Sequence, residues 1–416
     1  MRENLISSNK YTTILSILVL SLFIHIRFIG PLSIIIRPFD LLTLFIFFYV
    51  LFTKNKEDEH EPSLGFYYLL AFFIIHFSSA LTVSAENFFK EFTQVIILIL
   101  FTFILSNFKT KINYKKTIIN LLLGSIFIML FSIFWHLFKG YWVGWKQLAD
   151  SRIIFTIISF LIFAYLNISG EKEKINTTFF MIIFFVLVLM SGERKALLIF
   201  FFLFAMHYSQ GKILKIALIS IGGYILLYLL SDFLDNIYLK DKIDSLIRIL
   251  DTGNVQYYLD TGDLKEKDTF SNVQRAFTFS ISKDYFLANP FFGVGTNNYI
   301  SLVKDQHYYL PTFFTGGIHN EFQRVLIENG LLGLFFYLFI WYKSWRRTKN
   351  VVIQAKKKGL MSDLQYKFCT YSIYLACIMY VGMEASSLRS FIILIFISLL
   401  PDYLKYHLSL ETKKKI

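Results

Sequence analysis

Long runs of hydrophobic residues, separated by short polar connectors, make up most of the chain. The runs lack amphipathic spacing, so each predicts a helix that is apolar on all sides and satisfies its backbone hydrogen bonds inside a lipid bilayer. The approximate limits of these runs are 11–26, 38–53, 63–81, 91–108, 117–138, 153–168, 178–190, 196–208, 214–230, 326–342, 368–384 and 389–404. The pattern therefore predicts an all-α integral membrane protein with about twelve transmembrane helices.

Composition agrees with this fold class and narrows the range of partners. The 416 residues include 48 Phe and are 55% hydrophobic, which is too apolar for a soluble protein of this length. The net charge of +13 does not indicate nucleic-acid binding, because Lys and Arg lie in the connectors and not on one basic face. We expect these residues to face anionic membrane lipid. Cys369 and Cys377 lie too far apart along one apolar run for a disulfide and are predicted to be packing residues.

The distribution of basic residues predicts the orientation. Alternate connectors, together with both chain ends, hold most of the Lys and Arg, which places both termini in the cytoplasm. No small-residue cleavage site follows the first apolar run, so we expect that run to remain as a span. The predicted parts are residues 1–230 with the first nine spans, 231–325 as a large periplasmic loop, and 326–416 with the last three spans and a cytoplasmic tail.

The periplasmic loop is predicted to be partly helical and functional, because long connections in compact proteins usually carry function. Helical spacing covers Ser271–Leu287 and stops at Asn289-Pro290. A second helix is predicted to begin near His319, with Asn320 as its N-cap, and to continue into the tenth span.

A pattern at the end of this loop resembles a known family. His319-Asn320 is followed, after nine residues, by the tetrapeptide Gly330-Leu331-Leu332-Gly333. This pattern resembles the signature of O-antigen ligases and the related bacterial polysaccharide polymerases.

Several arginines strengthen the resemblance, which covers roughly residues 150–400. Arg194 on a short outer turn is similar to one recurrent feature of the family, and Arg275 upstream of the Gly293-Val294-Gly295 turn is similar to another. Weaker similarities are Arg152 before the sixth span and Arg389 before the last one. Gly293 and Gly295 are also predicted to shape a turn that lets the backbone approach another group.

The resemblance implies a GT-C-like membrane fold that transfers a glycan from a polyprenyl diphosphate carrier to an acceptor hydroxyl, without a cofactor. Breaking the sugar–diphosphate bond leaves negative charge on the phosphates, and guanidinium groups bind phosphate bidentately. We therefore predict that Arg194 and Arg275 stabilise the diphosphate. His319 is predicted to be the general base, because imidazole exchanges protons near neutral pH.

With these arginines available we predict a metal-independent, inverting glycosyltransferase. Glu321 has two open interpretations, since it can orient His319 or pair with Arg324. The histidines inside apolar runs, among them His76, are predicted to make packing contacts. The residues predicted to bind substrate are Arg389, Arg152, Asn320, Glu321, Arg324, Gly293, Gly295 and Tyr299.

Three functions stay open at this level. The favoured one joins undecaprenyl-diphosphate-linked repeat units into O-antigen or capsular polysaccharide at the outer face of the inner membrane. The second is O-antigen ligase, which passes the finished chain to lipid A-core. The third is a lipid-linked oligosaccharide transporter, which needs no general base. The expected partners are the glycan donor, the acceptor, membrane lipid and a chain-length regulator.

Overall fold

The computed structural model is dominated by helices. It describes residues 2–22, 28–29, 35–53, 63–80, 85–108, 111–138, 182–186, 194–209, 215, 222, 270–306, 318–383 and 387–415. These residues form the helices α1 (Arg2–Ser21), α2 (Pro38–Thr53), α3 (Leu64–Ala80), α4 (Ala85–Phe108), α5 (Tyr114–Phe138), α6 (Arg194–Tyr208), α7 (Phe270–Ala288), α8 (Asn298–Gln306), α9 (Glu321–Lys357), α10 (Asp363–Lys367), α11 (Ile373–Met383) and α12 (Ser387–Lys415).

Two short features complete the description. Strands β1 (Phe28–Ile29) and β2 (Ile35–Ile36) pair antiparallel between α1 and α2. A π-helical turn, Phe368–Ser372, joins α10 to α11. The backbone carbonyl of Thr370 in this turn accepts a hydrogen bond of 3.0 Å from the indole of Trp345 on α9.

Most apolar runs within the described residues form helices where they were predicted. Helices α2, α3, α5 and α6 agree with the predicted limits to within three residues, and α4 begins six residues before its predicted run. Helix α1 begins nine residues before the predicted run at 11–26 and ends five residues before its end. The predicted run at 153–168 lies outside the described residues. Of the runs at 178–190 and 214–230, the structure describes only residues 182–186, 215 and 222.

Three of the described helices contain segments long and apolar enough to cross a membrane, namely Phe88–Phe108, Glu321–Lys357 and Ser390–Ser409. Shorter apolar segments are Pro38–Phe52, Leu64–Ser79 and Lys116–Ile128. These segments are those of an integral membrane protein, and within the described residues they are helical. Helix α9 is longer than the predicted run 326–342, because polar residues continue it at both ends.

Helix α9 is central to the packing and contacts both α3 and α12 along its length. Helices α3 and α4 pack side by side, as do α1 and α5. The core is rich in phenylalanine: the ring of Phe391 on α12 packs against Phe72 and Phe73 on α3, with centroids 5.5 and 5.6 Å away. Cys369 and Cys377 are buried and unbridged, which confirms their predicted role in packing.

Candidate functional site

Helix α9 begins where the sequence predicted. Asn320 has an extended backbone, and its side chain accepts a 3.3 Å hydrogen bond from the N–H of Gln323. This cap fixes the N-terminus of α9. His319, which is half-buried, is the residue directly before the cap. The Nε2 atom of His319 lies 3.4 Å from the carboxamide oxygen of Gln274 on α7.

A second contact also holds α7 against the start of α9. The side chain of Gln323 donates a 2.6 Å hydrogen bond to the hydroxyl of Ser282 on α7. The predicted helix over residues 271–287 is thereby confirmed as α7, and it lies beside the predicted general base.

The path of α9 is interrupted at Gly330, whose φ is 66° and ψ is −167°. In a straight helix the N–H groups of Leu331 and Leu332 would bond to carbonyls four residues earlier. Here they donate instead to the carbonyls of Pro290 and Phe291, at 2.8 and 3.2 Å. The turn that follows α7 therefore supplies the acceptors that α9 lacks after the kink.

The exchange is reciprocal. The carbonyls of Ile327 and Glu328, which the kink releases from the helix, accept bonds of 2.9 and 3.0 Å from the N–H groups of Val294 and Gly295. Four hydrogen bonds between the turn and the helix thus replace two within the helix. The turn at residues 290–295 is therefore inserted into α9, where it takes the place of the helix's own backbone hydrogen bonds at the kink.

Two glycines make this close approach possible. A Cβ on Gly293, whose φ is 72°, would lie within 2.5 Å of the backbone of Ile327 and Glu328. A Cβ on Gly330 would lie 2.2 Å from the carbonyl oxygen of Phe291. The prediction that Gly293 and Gly295 shape a turn for backbone approach is confirmed, and the approached group is α9 itself.

A buried polar network ties this turn to the first third of the chain. Nε2 of His76 on α3 lies 3.0 Å from a carboxylate oxygen of Glu91 on α4. Nδ1 of His76 lies 3.3 Å from the carboxamide oxygen of Asn329 on α9. Both ring nitrogens thus lie within hydrogen-bonding distance of side-chain oxygen atoms. The other carboxylate oxygen of Glu91 accepts from the side-chain amide of Asn297 in the turn.

Two hydroxyl groups close the network. Thr296 donates to the backbone carbonyl of His76 at 2.9 Å. Ser79 accepts from the side-chain amide of Asn329 at 2.9 Å and from the N–H of Thr296 at 3.0 Å. Helix α3, helix α4, the turn and the kink of α9 are therefore joined by hydrogen bonds in one buried cluster.

Beside the network lies a buried ion triad on α9. Arg324 donates from Nε and Nη2 to the two oxygens of Glu321 at 2.9 and 2.6 Å, and from Nη1 to Glu328 at 2.7 Å. The guanidinium also stacks 5.4 Å from the ring centre of Phe391. The two interpretations left open for Glu321 are now separated, because its carboxylate pairs with Arg324.

The other predicted site residues fall into two groups. The structure describes the backbone of Arg194 at the start of α6, Arg275 in α7 and Arg389 near the start of α12, but not their side chains. Arg152 lies outside the described residues. Arg275 directly follows Gln274, so its backbone is one residue from the contact with His319.

Three side chains predicted to bind substrate have protein partners instead of open surface. Glu321 and Arg324 are buried and paired with each other. Tyr299 is only 2% exposed and packs edge-on against Tyr285, with ring centres 5.6 Å apart. We attribute all three side chains to building the site.

Two residues of the polar network were not predicted to belong to the site. His76 was expected to make a packing contact, and Glu91 was not considered. The sequence does contain a signal for both, because each is an ionisable residue in, or at the edge of, an apolar run. Such groups are energetically costly inside a membrane and usually pair with another polar group. The sequence alone does not reveal that they form hydrogen bonds with Thr296 and Asn297, which directly follow the turn at residues 290–295.

Comparison with known proteins identifies the segment that carries the kink. Residues 179–353 match a family model described as O-antigen ligase. This segment of the chain is therefore similar to the O-antigen polymerase and ligase superfamily. The matched segment includes the turn, His319 and most of α9, whereas His76 and Glu91 lie outside it. A search of curated proteins finds no match to the chain.

Proposed function

We propose that the protein is a glycosyltransferase that polymerises undecaprenyl-diphosphate-linked repeat units into O-antigen or capsular polysaccharide at the outer face of the inner membrane. The observation that carries the proposal is the position of His319. It stands at the N-terminus of a membrane-spanning helix and contacts α7, the helix that carries Arg275. This contact supports the proposal, because the residue proposed as general base lies beside the helix that carries the arginine proposed to bind the diphosphate.

The proposed reaction is a single in-line displacement. The acceptor hydroxyl oxygen attacks the anomeric carbon of the donor glycan while the bond from that carbon to the diphosphate oxygen breaks. The electron pair leaves with the diphosphate, and His319 takes the hydroxyl proton. Because the attack and departure are on opposite sides of the carbon, the configuration inverts. We assign His319 the tautomer in which Nε2 donates to the Gln274 oxygen, 3.4 Å away, so that the lone pair of the neutral ring is on Nδ1.

The arginines are proposed to stabilise the leaving group. Fixed cations aimed at developing charge supply a large part of catalysis in many enzymes. Arg275 and Arg194 bind the diphosphate, with Arg389 and Arg152 as further contacts. The first turn of α9 adds backbone N–H groups that favour a nearby phosphate. This set neutralises the diphosphate without a metal ion.

The same proposal includes the membrane topology. About twelve spans in a GT-C-like arrangement, with both termini in the cytoplasm, place the His319 end of α9 in the periplasm. The basic residues at the other end of α9, among them Lys343, Arg346 and Lys349, then face the cytoplasmic leaflet.

O-antigen ligase is the second candidate, and the matching family model fits it as well as it fits the polymerase. Both activities use the same donor and the same proposed base, so they differ only in the acceptor. A ligase passes the chain to lipid A-core, whereas a polymerase passes it to another lipid-linked repeat.

The deciding experiment supplies purified protein in liposomes with the lipid-linked repeat unit, with and without lipid A-core. A ladder of longer products from the repeat unit alone supports the polymerase. Product only in the presence of lipid A-core supports the ligase. Absence of both products contradicts the glycosyltransferase and favours the transporter.

Variants test the proposed roles. Arg275→Ala, Arg194→Ala and His319→Ala are each expected to abolish product while the protein remains inserted and monodisperse. Arg275→Lys keeps the charge but loses bidentate binding, so we expect only partial recovery. Near wild-type product from His319→Ala would remove the general-base assignment.

A further inference from the structure

The lipid-facing side of α9 is too short for a bilayer. Its exposed apolar side chains begin at Leu331 and end at Tyr342, and the exposed Arg346 follows. At 1.5 Å per residue this band is about 17 Å long, whereas the hydrocarbon core of a bilayer is about 30 Å thick. No side chain of Glu321–Gly330 is exposed. The apolar band therefore needs a continuation toward the His319 end.

The turn after α7 supplies that continuation. Its backbone bonds to Leu331 and Leu332 fix it directly beside the first residues of the apolar band. Phe291 is 66% exposed and Phe292 is 74% exposed, and Leu287 at the end of α7 is 62% exposed. These three side chains extend the exposed apolar surface past Leu331, in the direction in which α9 itself offers none.

Five backbone polar groups of the turn have partners within the protein. Non-helical segments are tolerated at membrane depth only where their polar groups have partners. The carbonyls of Pro290 and Phe291 accept from α9, and the N–H groups of Val294 and Gly295 donate to it. The N–H of Gly293 bonds to the carbonyl of Asn289 at 3.0 Å.

We propose that residues 287–293 form a re-entrant wedge whose Leu287, Phe291 and Phe292 side chains lie among the acyl chains of the leaflet on the His319 side. The exposed Lys283 and Asp284, one turn earlier on α7, mark where the wedge meets the lipid headgroups. The occupant is bulk membrane lipid, since the surface continues the lipid-facing side of α9. The wedge holds α7 at headgroup depth and does not depend on the proposed reaction.

Site-directed spin labelling in liposomes tests the wedge. The Phe292→Cys variant carries the label, and collisions with oxygen, which concentrates in lipid, are compared with collisions with a water-soluble nickel complex. Phe335→Cys on the lipid-facing side of α9 is the lipid reference, and Lys304→Cys on exposed α8 is the water reference. The wild-type chain reports any labelling of the buried Cys369 and Cys377.

We expect the label at position 292 to favour oxygen over nickel as strongly as the label at 335, and the label at 304 to favour nickel. Two results would overturn the proposal. A label at 292 that behaves like the one at 304 places the turn in water, and a label shielded from both reagents shows that protein covers it. If Phe292→Cys fails to insert, Phe291→Cys gives the same comparison.

Discussion

The two ends of α9 both contain ion pairs, but their surroundings differ. At the site end, Glu321–Gly330, Arg324 is buried between two carboxylates. At the basic end, Lys343–Lys357, Lys356 pairs with Asp363 at 2.5 Å, and the two side chains are 44% and 58% exposed. Charges that remain in water interact weakly, whereas buried charges must be fully paired. The difference indicates that the site end is a fixed scaffold, whereas the charges at the basic end are solvated.

The largest effect is expected from breaking the buried triad. Arg324→Met leaves Glu321 and Glu328 buried without a cation, which costs about 3–5 kcal/mol of unfolding free energy. The measurement is thermal unfolding of the detergent-solubilised protein. A matched change toward the other end is Arg347→Met, since Arg347 pairs with Asp402 at 2.6 Å but is 24% exposed. We expect a smaller loss there.

A triple variant separates charge from packing. Glu321→Leu, Arg324→Met and Glu328→Leu together replace all three charges with apolar side chains, and such a replacement of a whole buried ion group is often close to neutral. We expect most of the lost stability to return. Equal losses in the single and triple variants would show that the side-chain shape of Arg324 matters more than its charge.

The next largest effect is expected at two glycines with positive φ, one at the kink of α9 and one just after its C-terminal end. Gly330 and Gly359 have φ values of 66° and 68°, but a Cβ meets backbone atoms at Gly330 and has open space at Gly359. Alanine at each position carries a conformational penalty of about 1–2 kcal/mol. Gly330→Ala must also displace the turn and its four hydrogen bonds.

We therefore expect Gly330→Ala to lower the melting temperature clearly more than Gly359→Ala, and to abolish product in the glycan-transfer assay. Gly359→Ala reports the conformational penalty alone. Equal shifts in the two variants would contradict the insertion of the turn into α9.

A smaller effect is expected in the buried polar network that joins α3 and α4 to the kink of α9. His76→Ala removes one hydrogen-bond partner from Glu91 and one from Asn329, which costs about 1–3 kcal/mol. Glu91→Ala removes the partner of both His76 and Asn297. The double variant is expected to lose less than the sum of the single losses, because contacting residues couple. Additive losses, measured by thermal unfolding, would show that the two residues act separately.

Sequence patterns predicted most of the described helices because hydrophobic runs and caps are local. Asn320, for example, both signals the start of α9 and provides the cap. The kink at Gly330 was not predicted, since a glycine inside a helical run is compatible with a straight helix. Its cause is the turn at residues 290–295, which is remote in sequence and becomes visible only in the packed structure.

The same distinction applies to the candidate site. His319 and Arg275 were found through residue chemistry and their resemblance to a family pattern, and their roles stay predictions. Arg324 and Tyr299 were expected to meet substrate because polar and aromatic groups in a functional loop often do. Both side chains are buried and contact other parts of the protein, and their contact with substrate stays a prediction. Burial of a single side chain does not follow from a local pattern.

The smallest effect is expected at the basic end. Hydrogen bonds from Lys356 and Lys367 lower the pKa of Asp363 below its ordinary value. A carboxylate with a lowered pKa stabilises the fold above its unfolded pKa, and this contribution disappears as pH falls through the folded value. Asp363→Asn should therefore lower the melting temperature slightly at pH 7, and the difference from wild type should vanish in strong acid. High salt should shrink it at pH 7, because the three groups are exposed. A difference that persists in acid and high salt would mean that Asp363 acts through its helix-start position and not through its charge.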